Sequence, residues 1–385
     1  MTRTSDPLLA ARNIAALAWR RAVAIPKRMV RMARRTTRAQ QQAALFRAEW
    51  QVRRELAAIA RGRGPIVAGP WLSEVGFEAL YWIPFLRWFA DRYRVDPGRV
   101  IAVSRGGVAD WYRDVADRYV EIFDHVEPVT FARRNADRRQ AHEGGGQKQT
   151  RPSPFDAELI AIAAASAPRS GPVRVLHPSL MYRLFNQVWL GNRAADVIFR
   201  HTSFRSLLPS APIDINLPDR YIAAKFYTGA ALPDTADCRR ALRDLVRATA
   251  SRIPVVMLDT GLTTDEHEDY LFGDIPNVMS LRSQLDPRTN LGVQTAVTAA
   301  AQGFLGTCGS IAWLAPMLGI RTVAVYADDR LLTTHLYLAR QLYRRMEAAP
   351  FETLDLRAVQ ALDALAPPAP PAGTPADSTV QEVGR

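Results

Sequence analysis

From Thr289 to Ile320 the chain runs for 32 residues without a charged side chain. A stretch of that length has to leave water, either across a bilayer or inside a packed core. A spanning helix needs about 20 predominantly apolar residues. Here Asn290, Gln294, Gln302, Gly303, Gly306, Gly309, Ser310 and Pro316 interrupt the run. The stretch therefore reads as a buried helix over residues 291–301, a buried strand over 303–305, a turn, and a short helix after Ser310 that Pro316 kinks or shortens.

The flanking sequence repeats this alternation. Strand patterns at residues 221–226, 255–259, 277–281 and 322–326 alternate with helical patterns at 238–251, 291–301 and 333–346, as right-handed crossovers in a parallel sheet require. In the last helix, Leu336, Ala339, Leu342, Tyr343 and Met346 share one face. Upstream, strands are expected at 65–68, 99–103 and 173–176. Helical runs follow the first (Phe77, Leu80, Tyr81, Phe85, Trp88) and the third (180–190). Residues 143–154, with three glycines and two prolines, read as a loop.

A chain of 385 residues, 48% apolar, can bury two cores. The expected fold class is α/β, with two Rossmann-like domains facing across a cleft. Residues 64–215 and 216–348 form them, joined at 214–219. A basic helical arm (1–63) precedes them, and a C-terminal helix and disordered Pro/Ala-rich tail (349–385) follow.

The formal net charge of +12 resides in that arm, where 15 Arg and Lys face only Asp6, Glu49 and Glu55. The remaining residues carry 35 basic and 35 acidic side chains, so no folded basic stripe is available for nucleic acid. Residues 8–30 mix Ile14, Leu17, Ala18 and Trp19 with Arg12, Arg20, Arg21, Lys27 and Arg28. They lack the apolar core of a signal peptide. Such a segment suits an anionic surface at the inner face of the plasma membrane, and equally a solvated arm. The two cysteines, Cys238 and Cys308, make neither a disulfide framework nor a zinc site, and point to a reducing cytoplasm.

The run Gly303-Phe-Leu-Gly306-Thr307-Cys308-Gly309-Ser310 leaves a strand, turns on glycines and opens a helix with Ser310 as expected N-cap. Glycines let a backbone approach a phosphate, and a helix start favours its charge. The spacing is not the dinucleotide fingerprint, and a purely structural turn is the other reading. Lys225, Asp259-Thr260-Gly261 and Arg282 each end a strand, at the edge where open α/β sheets bind ligands. Lys225 reads as diphosphate neutralisation or as a plain surface lysine, and Asp259, Thr260 and Arg282 read as ribose or phosphate contacts or as the polar turn that any strand end of this fold needs. His335 either reaches the ligand or caps the closing helix. In the first half, the loop Gly69-Pro-Trp71-Leu-Ser73-Glu74-Val-Gly76-Phe-Glu78 follows the first strand. Glu74 is the candidate base, with Glu78 in reserve; the alternative for Glu74 is a carboxylate on a helix start that Ser73 caps. Arg105-Gly-Gly is either an anion contact or a plain turn. The acidic run Asp265-Glu-His-Glu-Asp269 superficially resembles a metal cluster, but neighbours in sequence need not converge on one ion. No metal and no cofactor are expected.

The segments Asn290-Leu-Gly-Val-Gln294, Phe304-Leu-Gly-Thr-Cys-Gly-Ser310, Leu314-Ala-Pro-Met-Leu-Gly319 and Thr322-Val-Ala-Val-Tyr326 together resemble the donor half of GT-B glycosyltransferases. Heptosyltransferases and fucosyltransferase-like enzymes are the nearest analogues. The resemblance covers residues 64–348 and is strongest in the last third. It implies a nucleotide-sugar donor with its diphosphate at Gly306, Thr307, Gly309 and Ser310, flanked by Asn290, Gln294 and Tyr326. It also implies a glycan acceptor on the first domain, near Trp71, Ser73, Gly76 and Arg105, in cell-envelope or extracellular polysaccharide synthesis. The heptosyltransferase pattern carries an acidic residue and a histidine around the turn, where this chain has Thr307 and Ala312. Retaining members commonly place paired glutamates there, and no carboxylate occurs from Thr289 to Ala327, which favours inversion without a metal. A nucleotide-sugar epimerase or hydrolase on the same scaffold, or a non-catalytic partner of polysaccharide assembly, are the other readings.

Overall fold

The computed structural model of the chain describes residues 40–141, 148–167, 171–207, 209, 214–262 and 267–359. The amphipathic segment 8–30, Asp265, Glu266 and the tail from Pro367 lie outside the described residues. Helix α1 spans residues 40–61. It leads into β1 (Ile66–Ala68), α2 (Val75–Phe77), a π turn (Glu78–Trp82), α3 (Ile83–Tyr93), β2 (Val100–Ser104), α4 (Ala109–Tyr112) and β3 (Arg118–Glu121). The first half closes with α5 (Pro128–Gln140), α6 (Pro154–Ala165), β4 (Arg174–Leu176), α7 (Ser179–Trp189) and α8 (Asp196–Arg200). The second holds β5 (Ile222–Lys225), α9 (Ala236–Ala250), β6 (Val255–Met257), β7 (Val278–Ser280), α10 (Asn290–Ala300) and β8 (Gly303–Thr307). It ends with α11 (Ser310–Leu314), β9 (Thr322–Tyr326), α12 (Thr333–Met346) and β10 (Phe351–Asp355).

Two sheets result, ordered β3-β2-β1-β4 and β10-β9-β8-β5-β6-β7, with every named pairing parallel. Inner strands β1, β2 and β8 are buried along their whole length, which is why they read as unbroken runs of apolar and small residues. At Gly306 a Cβ would lie 2.4 Å from the Lys225 carbonyl oxygen, so glycine is what lets β8 sit against β5. The uncharged stretch is α10, β8, α11 and a 3-10 turn (Ala315–Leu318) that Pro316 opens and left-handed Gly319 ends. Among the described residues no helix is long and apolar enough to cross a membrane.

Three expectations change. Residues 40–61 belong to the fold and not to an arm ending at residue 63: Val52 and Leu56 are fully buried. Glu49 meets Arg193 at 2.6 Å, and Arg99 donates to the carbonyls of Ala60 and Gly64. The second sheet extends past residue 348, because β10 pairs with β9 and Phe351 stacks on Trp313 at 5.4 Å. Strand β3 was also unexpected. Both β3 and β10 are edge strands, and Arg118, Glu121, Glu352 and Asp355 blur the apolar pattern that marks inner strands.

The halves are packed together. A Cβ at Gly76 of α2 would come 2.7 Å from the backbone nitrogen of Ser310 in α11. Gly292 N donates to the Gly106 carbonyl at 2.9 Å, and Trp111 Nε1 donates to Thr295 Oγ1 at 3.1 Å.

Candidate active site

One cavity of about 510 Å³ lies between the sheets, within the size range of small-molecule sites. Its walls come from the residues that follow the carboxyl ends of the strands: Glu74–Phe77 after β1, Arg105 after β2, Phe123 after β3, Lys225 and Tyr227 at β5, Thr260 after β6, and Thr307–Ser310 at β8. Two parallel α/β sheets thus aim their ligand-binding edges into a single cleft. The fold is GT-B.

On the first-domain side, Glu74 precedes α2 in extended conformation and makes no side-chain cap bond to it. Glu74 is itself the N-cap residue of α2, so it stands at a helix start as the alternative reading has it, while the cap position is not Ser73, whose Oγ accepts from Tyr182 Oη at 3.1 Å. Glu74 lines the cavity together with Lys148. Burial lowers the Lys148 pKa, and the negative charge of Glu74 partly offsets that. Gly76 and Arg105 line the cavity too. The Arg105 guanidinium braces the loop by donating to the carbonyls of Trp71 and Ser73 at 3.2 and 2.9 Å. The Gly106-Gly107 turn is committed elsewhere: both amides donate to the Glu121 carboxylate at 3.0 and 2.8 Å.

Glu78, Trp71 and Ser73 do not line the cavity. Glu78 is fully buried in the π turn, where it accepts from Ser104 Oγ at 2.5 Å and from Tyr112 Oη. Burial pushes its carboxyl up to about 7 against the pull of Arg105. As reserve base it is misplaced, because the turn directs it into the core. Trp71 is buried between Trp82 and Tyr182, with ring centroids 5.8 and 6.2 Å away.

On the second-domain side, Lys225, Thr260, Asn290, Gln294, Thr307, Gly309, Ser310 and His335 all line the cavity. Lys225 Nζ donates to the Leu258 carbonyl at 2.9 Å and pairs with Asp269 at 3.3 Å. Asp269 also accepts from Thr260 N at 2.7 Å. Thr307 Oγ1 accepts from Tyr227 N at 2.9 Å, tying the β8 turn to the end of β5. The N-cap of α11 is Gly309, not Ser310. Gly309 has φ 150° and Ser310 φ 40°. A left-handed non-glycine residue costs about 1–3 kcal/mol, and such strain gathers at functional sites. Gln294 Nε2 donates to Asn290 Oδ1 at 3.1 Å. His335 does not cap α12, whose N-cap is Leu332. Its ring packs on Phe77, Tyr81 and Trp189 of the first domain, its Nδ1 lies 2.6 Å from Tyr81 Oη, and burial lowers its pKa to about 4.

Asp259, Arg282, Gly306 and Tyr326 are not in the cavity wall. The Asp259 carboxylate is buried and accepts from Ser280 Oγ at 2.8 Å, Gly306 lies inside β8, and Arg282 sits in an exposed turn. The sequence reading missed Tyr227, Lys148, Trp189, Asp269 and Arg330, which do line it. Tyr227 and Asp269 had a usable signal, being two residues past Lys225 and the last member of the acidic run.

No protein-family model matches the chain, and no curated protein matches it. Solved structures similar to it include the family 9 glycosyl transferase from Veillonella parvula, at 11% identity over 79% of this chain and 97% of that one, TM-score 0.39. ADP-heptose lps heptosyltransferase II from E. coli is similar at 13% identity over 74% and 100%, TM-score 0.38. UDP-GlcNAc 2-epimerase from Methanocaldococcus jannaschii is similar at 8% identity over 78% and 99%, TM-score 0.32.

Proposed function

We propose that the chain is a glycosyltransferase that moves a sugar from a nucleotide-sugar donor on the second domain to a glycan acceptor on the first, with inversion. One observation carries this reading: the cavity has the Glu74 carboxylate on one wall and the Lys225 cation with the strained Gly309-Ser310 turn on the other. Sugar transfer needs a base for the acceptor hydroxyl and a positive environment for the departing diphosphate. Glu74 takes the first role. Lys225 and the backbone amides of the β8 turn take the second, without a metal. The other carboxylate in the wall, Asp269, is engaged by Lys225 and Thr260. The setting we assign is cell-envelope or extracellular polysaccharide synthesis in the cytoplasm.

The test is a panel of ADP, UDP and GDP, then their labelled sugar conjugates with and without glycan acceptors. One nucleotide is expected to raise the thermal midpoint, since a ligand that binds only the folded state stabilises it by mass action. Its conjugate is expected to label an acceptor. No midpoint rise with any nucleotide removes the donor site, and a labelled free or epimerised sugar in place of a glycoside replaces transfer by hydrolysis or epimerisation.

A further inference from the structure

We propose that Tyr227 is a further catalytic residue: its hydroxyl, seated over Gly309, donates a hydrogen bond to the diphosphate as that group leaves the sugar. This role rests on the sugar-transfer reading and adds a neutral donor to the Lys225 cation. The observation that carries it is steric. A Cβ on Gly309 would lie 2.3 Å from Tyr227 Oη and 3.6 Å from Tyr227 Cζ. The hydroxyl fills the space that the missing side chain leaves over the β8 turn, so a phosphate that crosses the Gly309 backbone to reach this turn meets it. Glycine at 309 is therefore required by the tyrosine as well as by its own φ of 150°.

The neighbours of Tyr227 hold it in place. Phe226 is buried against Phe272, with ring centroids 5.9 Å apart. The alternation of an extended chain then turns Lys225 and Tyr227 together to the cleft, whose wall both line. Tyr227 stands in an antiparallel bridge with Asp269, flanked by Thr228 N donating to the Glu268 carbonyl at 2.8 Å and Tyr270 N to the Phe226 carbonyl at 2.9 Å. Thr307 Oγ1 accepts from Tyr227 N and donates to the Tyr227 carbonyl at 3.2 Å, and the tyrosine ring leans on His267 with centroids 4.9 Å apart. A donor fixed in this way needs no rearrangement as charge develops. In the transfer step the bond between the anomeric carbon and the phosphate oxygen breaks, and its electron pair stays on that oxygen. Lys225 offsets the charge, Tyr227 donates to the departing diphosphate and keeps its proton, and the acceptor proton goes to Glu74. A hydroxyl bonded to an anionic oxygen makes a roughly twofold stronger hydrogen bond than one bonded to a neutral oxygen. Because the diphosphate gains charge as the bond breaks, the contact is stronger in the transition state than before it.

The test compares the natural full chain with Tyr227→Phe, Gly309→Ala and the double variant. It uses the ADP, UDP or GDP sugar that the natural chain cleaves and reads release of the nucleoside diphosphate, whether the sugar goes to an acceptor or to water. Tyr227→Phe loses one oxygen and is expected to cut kcat on the order of 10²–10³-fold, with KM for the donor changed by less than about threefold. Gly309→Ala reaches the same hydroxyl from the other side. It is expected to slow the natural chain at least about tenfold and the Tyr227→Phe chain by less than about threefold, since both substitutions remove one contact. Release by Tyr227→Phe at the natural rate overturns the proposal and leaves sugar transfer standing. Equal slowing by Gly309→Ala in both backgrounds also overturns it, because the turn then needs glycine for its backbone alone. Tighter nucleotide binding by Tyr227→Phe overturns it by making the hydroxyl an obstruction. A natural chain that binds no nucleotide and cleaves no sugar nucleotide overturns the sugar-transfer reading, and this role with it.

Discussion

At the scale of single residues, Glu74 separates catalysis from structure. Glu74→Gln keeps the shape and a hydrogen-bonding oxygen but cannot take up the acceptor proton, so turnover should fall on the order of 10²–10⁴-fold while nucleotide affinity barely changes. Near-normal turnover would remove it as base. Lys225 needs a paired design, because it and Asp269 are each only 11% exposed. Losing one member of such a pair strands the other charge, at a cost approaching the roughly 3–5 kcal/mol seen for buried pairs. Lys225→Met alone should therefore destabilise the chain, and Lys225→Met/Asp269→Asn should recover much of the loss. If Lys225 serves a diphosphate, nucleotide affinity stays at least about tenfold down in both, near 1.4 kcal/mol. Recovery in the double variant would make it a partner of Asp269 only. Part of this was legible beforehand: Lys225, Thr307, Gly309 and Ser310 follow strands whose pattern is plain, and topology alone turns them to the cleft. The misplacements of Glu78 and Trp71 have different causes. Helix periodicity cannot reveal that residues 78–82 wind as a π turn, which rotates the Glu78 side chain away from its α-helical direction, and Trp71, in the loop before α2, is drawn into the core by stacking on Trp82 and Tyr182.

Among elements, the truncation boundary is the sharpest test. Deleting residues 1–63 takes away Val52 and Leu56, both fully buried, each worth about 1.5–3 kcal/mol. It also uncovers the Arg193 guanidinium that Glu49 now meets. The shortened chain should unfold at a clearly lower denaturant midpoint than the full one; equal midpoints would mean that α1 is a passenger. The interface between α2 and α11 is equally specific. Gly76→Ala places a methyl group 2.7 Å from Ser310 N and Trp313 Cδ1, so it should weaken nucleotide binding by shifting the β8 turn, and unchanged binding would show that the turn moves independently of α2. Elements were most readable where burial was complete. Strand β9 and helix α12 lie where their periodicity places them, at Thr322–Tyr326 and Thr333–Met346. For α1 the helix itself was legible and its packing into the fold was not, because a helix that packs only one narrow stripe, Val52 and Leu56 among arginines, looks in sequence like a solvated arm.

For the molecule as a whole, two buried groups from different domains should set opposite slopes of stability against pH. Glu78 belongs to the first domain, beside Ser104, Tyr112, Arg105 and Glu121, and burial raises its carboxyl from 4.5 to about 7. The folded chain thus keeps a proton that the unfolded chain releases, so this contribution is full below 4.5 and is lost as pH rises towards 7. His335 comes from the second domain and sits against Tyr81 in the same π turn; burial, with Lys148 nearby, lowers it from 6.5 to about 4. There the unfolded chain takes up a proton that the folded chain refuses, so the contribution is full above 6.5 and is lost as pH falls towards 4. At about 1.4 kcal/mol per pH unit, each amounts to something on the order of 3 kcal/mol, with opposite sign. Denaturant titrations between these limits should therefore show the two partly cancelling in the natural chain. Glu78→Gln keeps an acceptor for Ser104 and Tyr112 but removes the proton, so its stability should drop more steeply on acidification than that of the natural chain. His335→Gln keeps a partner for Tyr81 and should drop more steeply as pH rises. Groups common to all three chains, such as Asp259 and His201, cancel when the curves are subtracted. If the Glu78→Gln and natural curves run parallel across this range, the carboxyl is not held protonated. If the His335→Gln curve runs parallel as well, the core joining the two domains does not exclude water as its packing implies.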